Sequence, residues 1–308
     1  DDQLGLLKQI CKQLQLDENC WPVRQFQGFI NNSKDAGLRP QHIDAQNNSK
    51  LNTQVQVYNT YQQACERGGL VDFGELLLRS HELWLQRPEI LQHYQTQFKH
   101  LLVDEFQDTN TIQYAWLRVL AGSSCLVTAV GDDDQSIYGW RGARIENIQQ
   151  FSQHFQNTQT IRLEQNYRST GTILRAANSI IANNTGRLGK TLWTDDGAGE
   201  PISIYSGFNE QDEARFIVQQ ISRWESAGGL RRESAILYRS NAQSRALEEA
   251  LIRSGKPYRI YGGQRFYDRL EIRNALAYLR LMNSRNDDAA MERVINVPHR
   301  GLGTRTVD

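Results

Sequence analysis

The fold of this chain is decided by the stretch Leu101-Leu102-Val103-Asp104-Glu105-Phe106-Gln107-Asp108. Three apolar residues followed directly by two carboxylates are typical of a buried strand that ends at the rim of a sheet. In an open α/β sheet, ligands bind beyond the carboxyl ends of the strands, where Asp104 and Glu105 would lie. Acids at this position can hold a hard cation beside a nucleotide or activate water for attack on a phosphate. A solvated acidic pair at a strand end is the alternative that this stretch alone leaves open.

Two further blocks follow along the chain. A second apolar run at residues 125–130 is closed by G-D-D-D-Q-S-I-Y-G-W-R-G-A at residues 131–143. A third short run, at residues 161–163, is followed by E-Q-N-Y-R-S-T at residues 164–170. The alternation of strand-like and helical segments over residues 99–164 predicts part of a parallel sheet.

In this order and spacing, the three blocks resemble motifs II, III and IV of the UvrD/Rep/PcrA superfamily 1 DNA helicases, and the UvrD branch in particular. The resemblance covers essentially the whole chain. It implies an α/β fold built from portions of two RecA-like P-loop NTPase domains, with parallel sheets and all-helical insertions. It also implies ATP and Mg²⁺ as ligands. The implied partners are single-stranded DNA and junctions of single-stranded with duplex DNA, and DNA-repair proteins are further candidates.

We therefore predict four parts: a helical 1B-like insertion at residues 1–98, part of RecA-like domain 1A at residues 99–164, part of RecA-like domain 2A at residues 165–261, and the start of a helical 2B-like domain at residues 262–308. The third part should contain strands at residues 202–205, 235–238 and 258–261, alternating with helices. In the first part, Asp72 and Glu75 predict a capping box at the start of an apolar helix.

The resemblance assigns catalytic roles to four residues. Asp104 corresponds to the Mg²⁺-associated aspartate and Glu105 to the general base. Gln135 would touch both the γ-phosphate and the attacking water, and Arg168 would stabilise charge on the γ-phosphate as arginine fingers do. Tyr167 would stack on the adenine. For Tyr167 and Arg168, a packed tyrosine beside a surface arginine is the alternative.

A DNA-binding role is predicted for Tyr138, Trp140 and Arg141, which follow Gln135 closely. Aromatic faces stack on bases without sequence preference, and arginine binds phosphate. A nucleotide sensor so close to base-stacking residues would link hydrolysis to the grip on DNA. Core aromatics beside a glycine turn are the alternative for Tyr138 and Trp140.

Further DNA contacts are predicted at two later loops. Residues 239–245 resemble motif IVa, where Arg239 is the candidate and Asn241 is equally well explained as a helix N-cap. Residues 298–306 resemble the family's GIG loop, with Leu302 in place of isoleucine. The candidate contacts in this second loop are Arg300, Gly301, Gly303 and Thr304, because glycine amides can approach a duplex phosphate closely.

The segment G-R-L-G-K-T at residues 186–191 imitates a phosphate-binding loop. The true motif requires glycine five positions before its Gly-Lys pair, and position 184 is asparagine. No other G-x-x-x-x-G-K-[ST] pattern occurs in the chain. We interpret residues 186–191 as a surface turn.

We interpret the chain as an internal piece of a longer protein, because it begins at Asp1 without methionine and lacks the phosphate-binding loop and the family's later motifs. The resemblance implies that the parent is an ATP-dependent 3′→5′ helicase that unwinds duplex DNA in repair and replication. The alternative for the piece itself is a non-catalytic DNA-binding or interaction module without ATPase activity.

The charge distribution, the cysteines and the lengths of the apolar runs bear on which partners, metals and compartment we expect. The 308 residues carry no net charge, but residues 231–308 hold 15 Lys and Arg against 9 Asp and Glu, and residues 1–230 hold 20 against 26. A basic portion of this kind can face phosphates or can be an ordinary helix surface. The four cysteines have no C-x-x-C spacing, so zinc is not expected. No apolar run reaches the length of a membrane span, and we predict a cytoplasmic, nucleoid-associated protein without membrane contact.

Overall fold

The structure, a computed structural model, describes residues 2–46, 48–261 and 270–302. The chain divides into two compact units. The first unit comprises residues 1–164, 178–192 and 274–308, and the second unit comprises residues 165–177 and 193–273. Among the described residues, every helix is too short or too polar to cross a lipid bilayer.

The first unit begins with five helices: α1 (Asp2–Gln13), α2 (Val23–Asp35), α3 (Ser49–Gly68), α4 (Phe73–Gln86) and α5 (Pro88–Gln97). The first three pack around one apolar core, in which Leu7, Ile30 and Val57 are fully buried. The packing of these three helices follows the apolar spacing of the sequence, since each of the three buries one stripe of side chains.

Helix ends in this region follow local sequence signals. Helix α3 ends at Gly69, whose φ of 63° lies in the left-handed region that glycine tolerates best. The predicted start of α4 is confirmed, because the Asp72 side chain accepts a hydrogen bond of 2.7 Å from the Glu75 amide. Pro88 begins α5 at the position where proline loses no helical hydrogen bond.

The Glu75 side chain does not complete the predicted capping box. It lies instead in a buried ion cluster formed by Lys34, Arg39, Asp72, Glu75 and Glu82. Lys34 and Glu75 are both 1 % exposed, and Lys34 Nζ lies 2.9 Å from a Glu75 oxygen. Buried charges require partners of this kind because desolvation is costly. The cluster therefore ties α2 and the segment after it to α4.

The sheet of the first unit has two parallel strands, β1 (His100–Val103) and β2 (Leu126–Ala129), in a register that pairs Leu101 with Val127. Helix α6 (Thr111–Ala121) connects them, and α7 (Glu146–His154) follows β2. One sheet face packs on Phe106, Tyr114 and Leu117. The predicted α/β class is thus confirmed, with parallel strands that deliver their carboxyl ends to the same edge.

The second unit contains α9 (Glu210–Ser226) and α10 (Ser244–Arg253), which pack on each other. Helix α8 (Gly171–Ile181) begins in the second unit and ends in the first, and α11 (Leu270–Asn283) does the same. Helix α12 (Asp288–Val294) belongs to the first unit, where it contacts α1.

Three predicted strands are wrong. Residues 202–205, 235–238 and 258–261 form no strand in the structure, and the apolar run at residues 161–163 forms none either. The described part of the second unit has only an isolated parallel bridge between Gln165 and Trp193. Ile204 and Leu237 are each 94 % exposed. Apolar composition favours a strand, but a strand exists only where a neighbouring segment accepts its hydrogen bonds. Within the described residues these four segments lack that neighbour.

Candidate active site at the carboxyl edge of the sheet

The carboxyl ends of β1 and β2 are joined by backbone hydrogen bonds beyond the last paired residues. Val130 donates to the carbonyl of Val103 at 2.8 Å, and Phe106 donates to the carbonyl of Val130 at 2.9 Å. The two loops that leave the sheet are therefore held side by side. Asp104 and Glu105 lie on the first loop, and both side chains are exposed.

Glu105 has an unusual backbone conformation, with φ 51° and ψ 44° in the left-handed region. The steric cost for a residue with a Cβ atom is about 1 kcal/mol, and such conformations cluster at functional sites. The Glu105 amide donates to Asp104 Oδ1 at 2.9 Å. The turn thus points two neighbouring carboxylates beyond the strand end.

Gln107 connects this turn to the loop after β2. Its side chain is 2 % exposed. Its Nε2 donates to Glu105 Oε2 at 2.6 Å, and its Oε1 accepts from the Asp132 amide at 3.0 Å. Sequence reasoning missed this residue, although an amide within an apolar and acidic stretch is the kind of residue that bridges two loops. A Cβ atom at Gly131 would lie 2.8 Å from Gln107 Oε1, so a larger residue there would displace the Gln107 side chain.

The acidic loop, residues 131–135, holds the predicted sensor. Gln135 is exposed, and its Nε2 donates to Asp132 Oδ2 at 2.7 Å. Burial raises the pKa of Asp132, but hydrogen bonds from Lys190 and Gln135 outweigh it, so this pKa lies below its ordinary value. Glu105, Gln107, Asp132 and Gln135 therefore form one continuous chain of hydrogen bonds across the ends of both strands.

The three carboxylates of Asp132, Asp133 and Asp134 lie within 4.8 Å of one another. Cations of the chain already face them, since Lys190 contacts Asp132 and Arg187 Nε lies 3.1 Å from Asp134 Oδ1. Two of the three negative charges are therefore paired with cationic side chains. Asp104 differs, because only its Oδ1 has a hydrogen-bond partner among the described residues, which leaves Oδ2 for a hard cation.

The aromatic loop, residues 137–143, follows directly. Trp140 is 66 % exposed, which excludes a core role for this side chain. The Arg141 guanidinium lies 4.8 Å from the Tyr138 ring centroid and 4.6 Å from that of Trp140. The loop thus presents two rings with a cation beside both of them.

A groove of about 430 Å³ opens beside this loop, lined among others by Phe73, Leu77, Asp108, Tyr138 and Arg141. Phe73 is 90 % exposed although it is a large apolar residue. Sequence reasoning missed it, because a phenylalanine directly after a helix cap suggests core packing. The structure instead adds a third aromatic ring to those of Tyr138 and Trp140.

The remaining predicted nucleotide ligands lie in the second unit. Tyr167 is 80 % exposed, and its hydroxyl donates to Gln165 Oε1 at 2.8 Å. Asn166 Oδ1 accepts from the amides of Arg168 and Ser169 at 3.0 and 2.7 Å, which fixes the turn that carries Arg168. The Arg168 side chain is exposed, so it is accessible to an anion.

The late DNA-binding candidates divide into three kinds. Arg239 is exposed in the second unit, with its amide bound to Gln243 Oε1 at 3.0 Å. The Arg300 guanidinium donates to the carbonyls of Val294 and Ile295 at 2.7 and 2.8 Å and so caps the end of α12, beside Gly301. The predicted contacts Gly303 and Thr304 lie outside the described residues, as does the side chain of Asn241.

A two-stranded parallel sheet with acids at its carboxyl edge, beside a glutamine and exposed aromatics, is the arrangement of a RecA-like α/β protein. The chain belongs to the UvrD/Rep helicase family. Residues 1–156 match the model of the UvrD/REP helicase N-terminal domain, and residues 161–308 match that of the UvrD-like helicase C-terminal domain.

Named relatives agree with this assignment. Over its whole length the chain is 63 % identical to DNA helicase II of Escherichia coli (strain K12) and 58 % identical to DNA helicase II of Haemophilus influenzae. It is 44 % identical to ATP-dependent DNA helicase PcrA of Staphylococcus aureus. The chain covers 43 %, 42 % and 42 % of these relatives, and so spans less than half of their length.

Proposed function

We propose that this chain forms part of an ATP-dependent DNA helicase that translocates 3′→5′ on single strands and unwinds duplexes in DNA repair and replication. The observation that carries the proposal is the hydrogen-bond chain from Glu105 through Gln107 and Asp132 to Gln135. It links an acid suited to activating water with a polar sensor. The acidic loop that carries Gln135 continues directly into the aromatic loop. The residues proposed for ATP hydrolysis and those proposed for base stacking therefore lie on one continuous segment of backbone.

The chemistry assigned to the site is attack of water on the γ-phosphate of ATP, which breaks the bond between this phosphate and the bridging oxygen and releases ADP and phosphate. Glu105 accepts the proton of the attacking water, and Gln135 orients that water. Arg168 stabilises the negative charge that develops on the phosphate, and Tyr167 stacks on the adenine. Asp104 would hold Mg²⁺, which would supply positive charge beside the phosphates, and Asp104 Oδ2 fits this role because it has no hydrogen-bond partner among the described residues.

The groove of the first unit is the proposed track for single-stranded DNA. Phe73 lines this groove and Trp140 lies on the adjoining aromatic loop. Both rings are exposed, and stacking on such a ring contributes roughly 1–3 kcal/mol per base. Asp35 and Asp108 line the same groove, so a strand bound there would turn its bases inward and its phosphates outward. Arg141 beside the rings would hold a passing phosphate.

The other predicted contacts, Arg239, Arg300, Gly301, Gly303 and Thr304, are proposed to position DNA without recognising its sequence. Junctions of single-stranded with duplex DNA are the proposed substrates, and DNA-repair proteins are proposed partners in a nucleoid-associated protein. The proposed division of the chain is a 1B-like insertion at residues 1–98, part of domain 1A at 99–164, part of domain 2A at 165–261 and the start of a 2B-like domain at 262–308.

The test replaces the proposed base in the full-length gene product. Glu105→Gln should keep ATP binding and lose turnover by a factor of about 10²–10⁴, the usual contribution of general-base catalysis. Glu89→Gln, which alters an exposed ion pair with Arg87, is the matched control. Steady-state hydrolysis with single-stranded DNA measures turnover, and a fluorescent ATP analogue measures binding. Near-normal turnover in Glu105→Gln would remove this residue from the base role.

The sequence itself supports a second candidate for the piece alone, a non-catalytic DNA-binding module. No phosphate-binding loop occurs in its 308 residues, although the exposed aromatics are in place. ATPase activity and DNA affinity measured on this chain separate the two candidates. DNA binding without hydrolysis supports the module for the piece and leaves the helicase proposal for the full-length gene product intact.

A further inference from the structure

Residues 186–190, here called the lysine loop, belong to the segment that imitates a phosphate-binding loop. In the structure this loop contacts the carboxylates of the acidic loop in the same unit. The Leu188 amide donates to Asp133 Oδ2 at 2.7 Å, and Arg187 pairs with Asp134 at 3.1 Å. Lys190 donates to Asp132 Oδ1. Two of the three acids therefore accept a hydrogen bond, and the third forms an ion pair, all with one short segment some fifty residues further along the chain.

The Asp132 carboxylate is shared between this loop and the predicted sensor. Its Oδ1 accepts from Lys190 and, at 3.0 Å, from the Asp134 amide. Its Oδ2 accepts from Gln135 Nε2 at 2.7 Å. Since a carboxylate is planar and rigid, fixing one oxygen fixes the other. The direction of the Gln135 amide thus depends on the cation bound to the opposite oxygen.

The ion pair between Lys190 and Asp132 is partly buried. The Lys190 side chain is 17 % exposed and that of Asp132 is 23 % exposed, whereas the ion pairs on the helix surfaces are far more open. Partial burial weakens screening by water and salt. Without the lysine, Asp132 would face Asp133 and Asp134 with no neutralising charge on its Oδ1, and repulsion among the three acids would turn it away from Gln135.

We propose that Lys190 is a positioning residue for Gln135, acting through Asp132. This inference rests on the proposed function, because it concerns how the sensor glutamine of that same site is held. Lys190 acts on the sensor through its contact with Asp132. Its effect is to keep the Gln135 amide in one orientation before ATP binds, so its loss lowers the rate of the chemical step and leaves ATP affinity unchanged.

The test uses Lys190→Met in the full-length gene product, which removes the charge and keeps the length of the side chain. We expect kcat for DNA-stimulated ATP hydrolysis to fall about tenfold, within the range that small misplacements cost. KM for ATP and the melting temperature should stay unchanged. Lys190→Arg, which keeps a cation, should restore most of the rate. Lys256→Met is the matched control, because Lys256 pairs with Glu225 at a similar depth in the second unit.

A double variant distinguishes the positioning role of Lys190 from a purely structural role, because it measures the coupling between Lys190 and Gln135. Gln135→Ala should lose most of the turnover, and the double variant with Lys190→Met should be no slower than Gln135→Ala alone, because the two residues act in series. A normal kcat in Lys190→Met, additive losses in the double variant, or a rate loss that follows a lower melting temperature would overturn the positioning role. Full activity in Gln135→Ala, or no hydrolysis in the unaltered protein, would instead overturn the proposed function and, with it, this inference.

Discussion

The buried ion cluster of the first unit makes the stability of this chain depend on pH in a way that one substitution can expose. Glu75 is 1 % exposed and accepts hydrogen bonds of 2.8–2.9 Å from Arg39, while Lys34 Nζ lies at 2.9 Å. Burial alone would raise the pKa of Glu75. Hydrogen bonds from Arg79, Lys34 and Arg39 outweigh burial and lower this pKa from 4.5 to about 2.

The size of the effect follows from this shift. A carboxylate whose pKa falls from 4.5 to about 2 on folding stabilises the folded state by about 3 kcal/mol. Because the folded pKa is the lower one, this contribution is complete above pH 4.5 and is lost as the pH falls towards 2. Glu75→Gln removes the charge at every pH and leaves Lys34 with Asp72 alone. We therefore expect this variant to lose about 3 kcal/mol at pH 7.

Hydrogen exchange of the amides in α3 and α4 measures this loss, because it reports on these helices and not on the second unit. The gap in unfolding free energy between Glu75→Gln and the unaltered chain should narrow steadily between pH 4.5 and pH 2. Glu89→Gln, in an exposed ion pair, should change little at either end of this range. A gap below 1 kcal/mol at pH 7, or one that is the same at pH 7 and pH 2.5, would refute the reasoning.

Two further predictions concern the site. Gln107→Leu fills the same space but removes both hydrogen bonds of the bridge, so kcat for ATP hydrolysis by the full-length gene product should fall at least tenfold. Unchanged kcat would show that Glu105 is held without it. Phe73→Ala should weaken binding of single-stranded DNA by roughly 1–3 kcal/mol in a fluorescence anisotropy titration. Phe208→Ala, which removes an equally exposed ring in the second unit, should bind as the unaltered protein does.

Features that depend on neighbours in sequence could be predicted from the sequence. The cap of α4 at Asp72 and the left-handed end of α3 at Gly69 both follow from two or three adjacent residues. The strands β1 and β2 were predictable because each apolar run is closed by acids and the two are joined by a helix. Local chemistry therefore fixes where elements start and stop.

Features that depend on distant partners could not be predicted. Residues 202–205 and 235–238 have the composition of strands, but the hydrogen-bonding neighbour that defines a strand is a non-local property. Glu75 has the spacing of a capping box, yet its side chain is drawn to Lys34, 41 residues earlier in the chain. The same holds for the site, where the contact between Asp132 and Lys190 spans 58 residues. The three motifs predicted the candidate residues, and the fold shows which distant side chains contact them.

The left-handed backbone at Glu105 has a consequence for how this position can vary. A φ of 51° suits glycine, and to a lesser degree asparagine, better than glutamate. Replacement of this acid would therefore relieve a backbone penalty while it removes a carboxylate at the strand end. With the base role proposed for Glu105, selection for heat resistance and selection for turnover would favour different amino acids here, which is a stability–activity trade-off confined to a single residue.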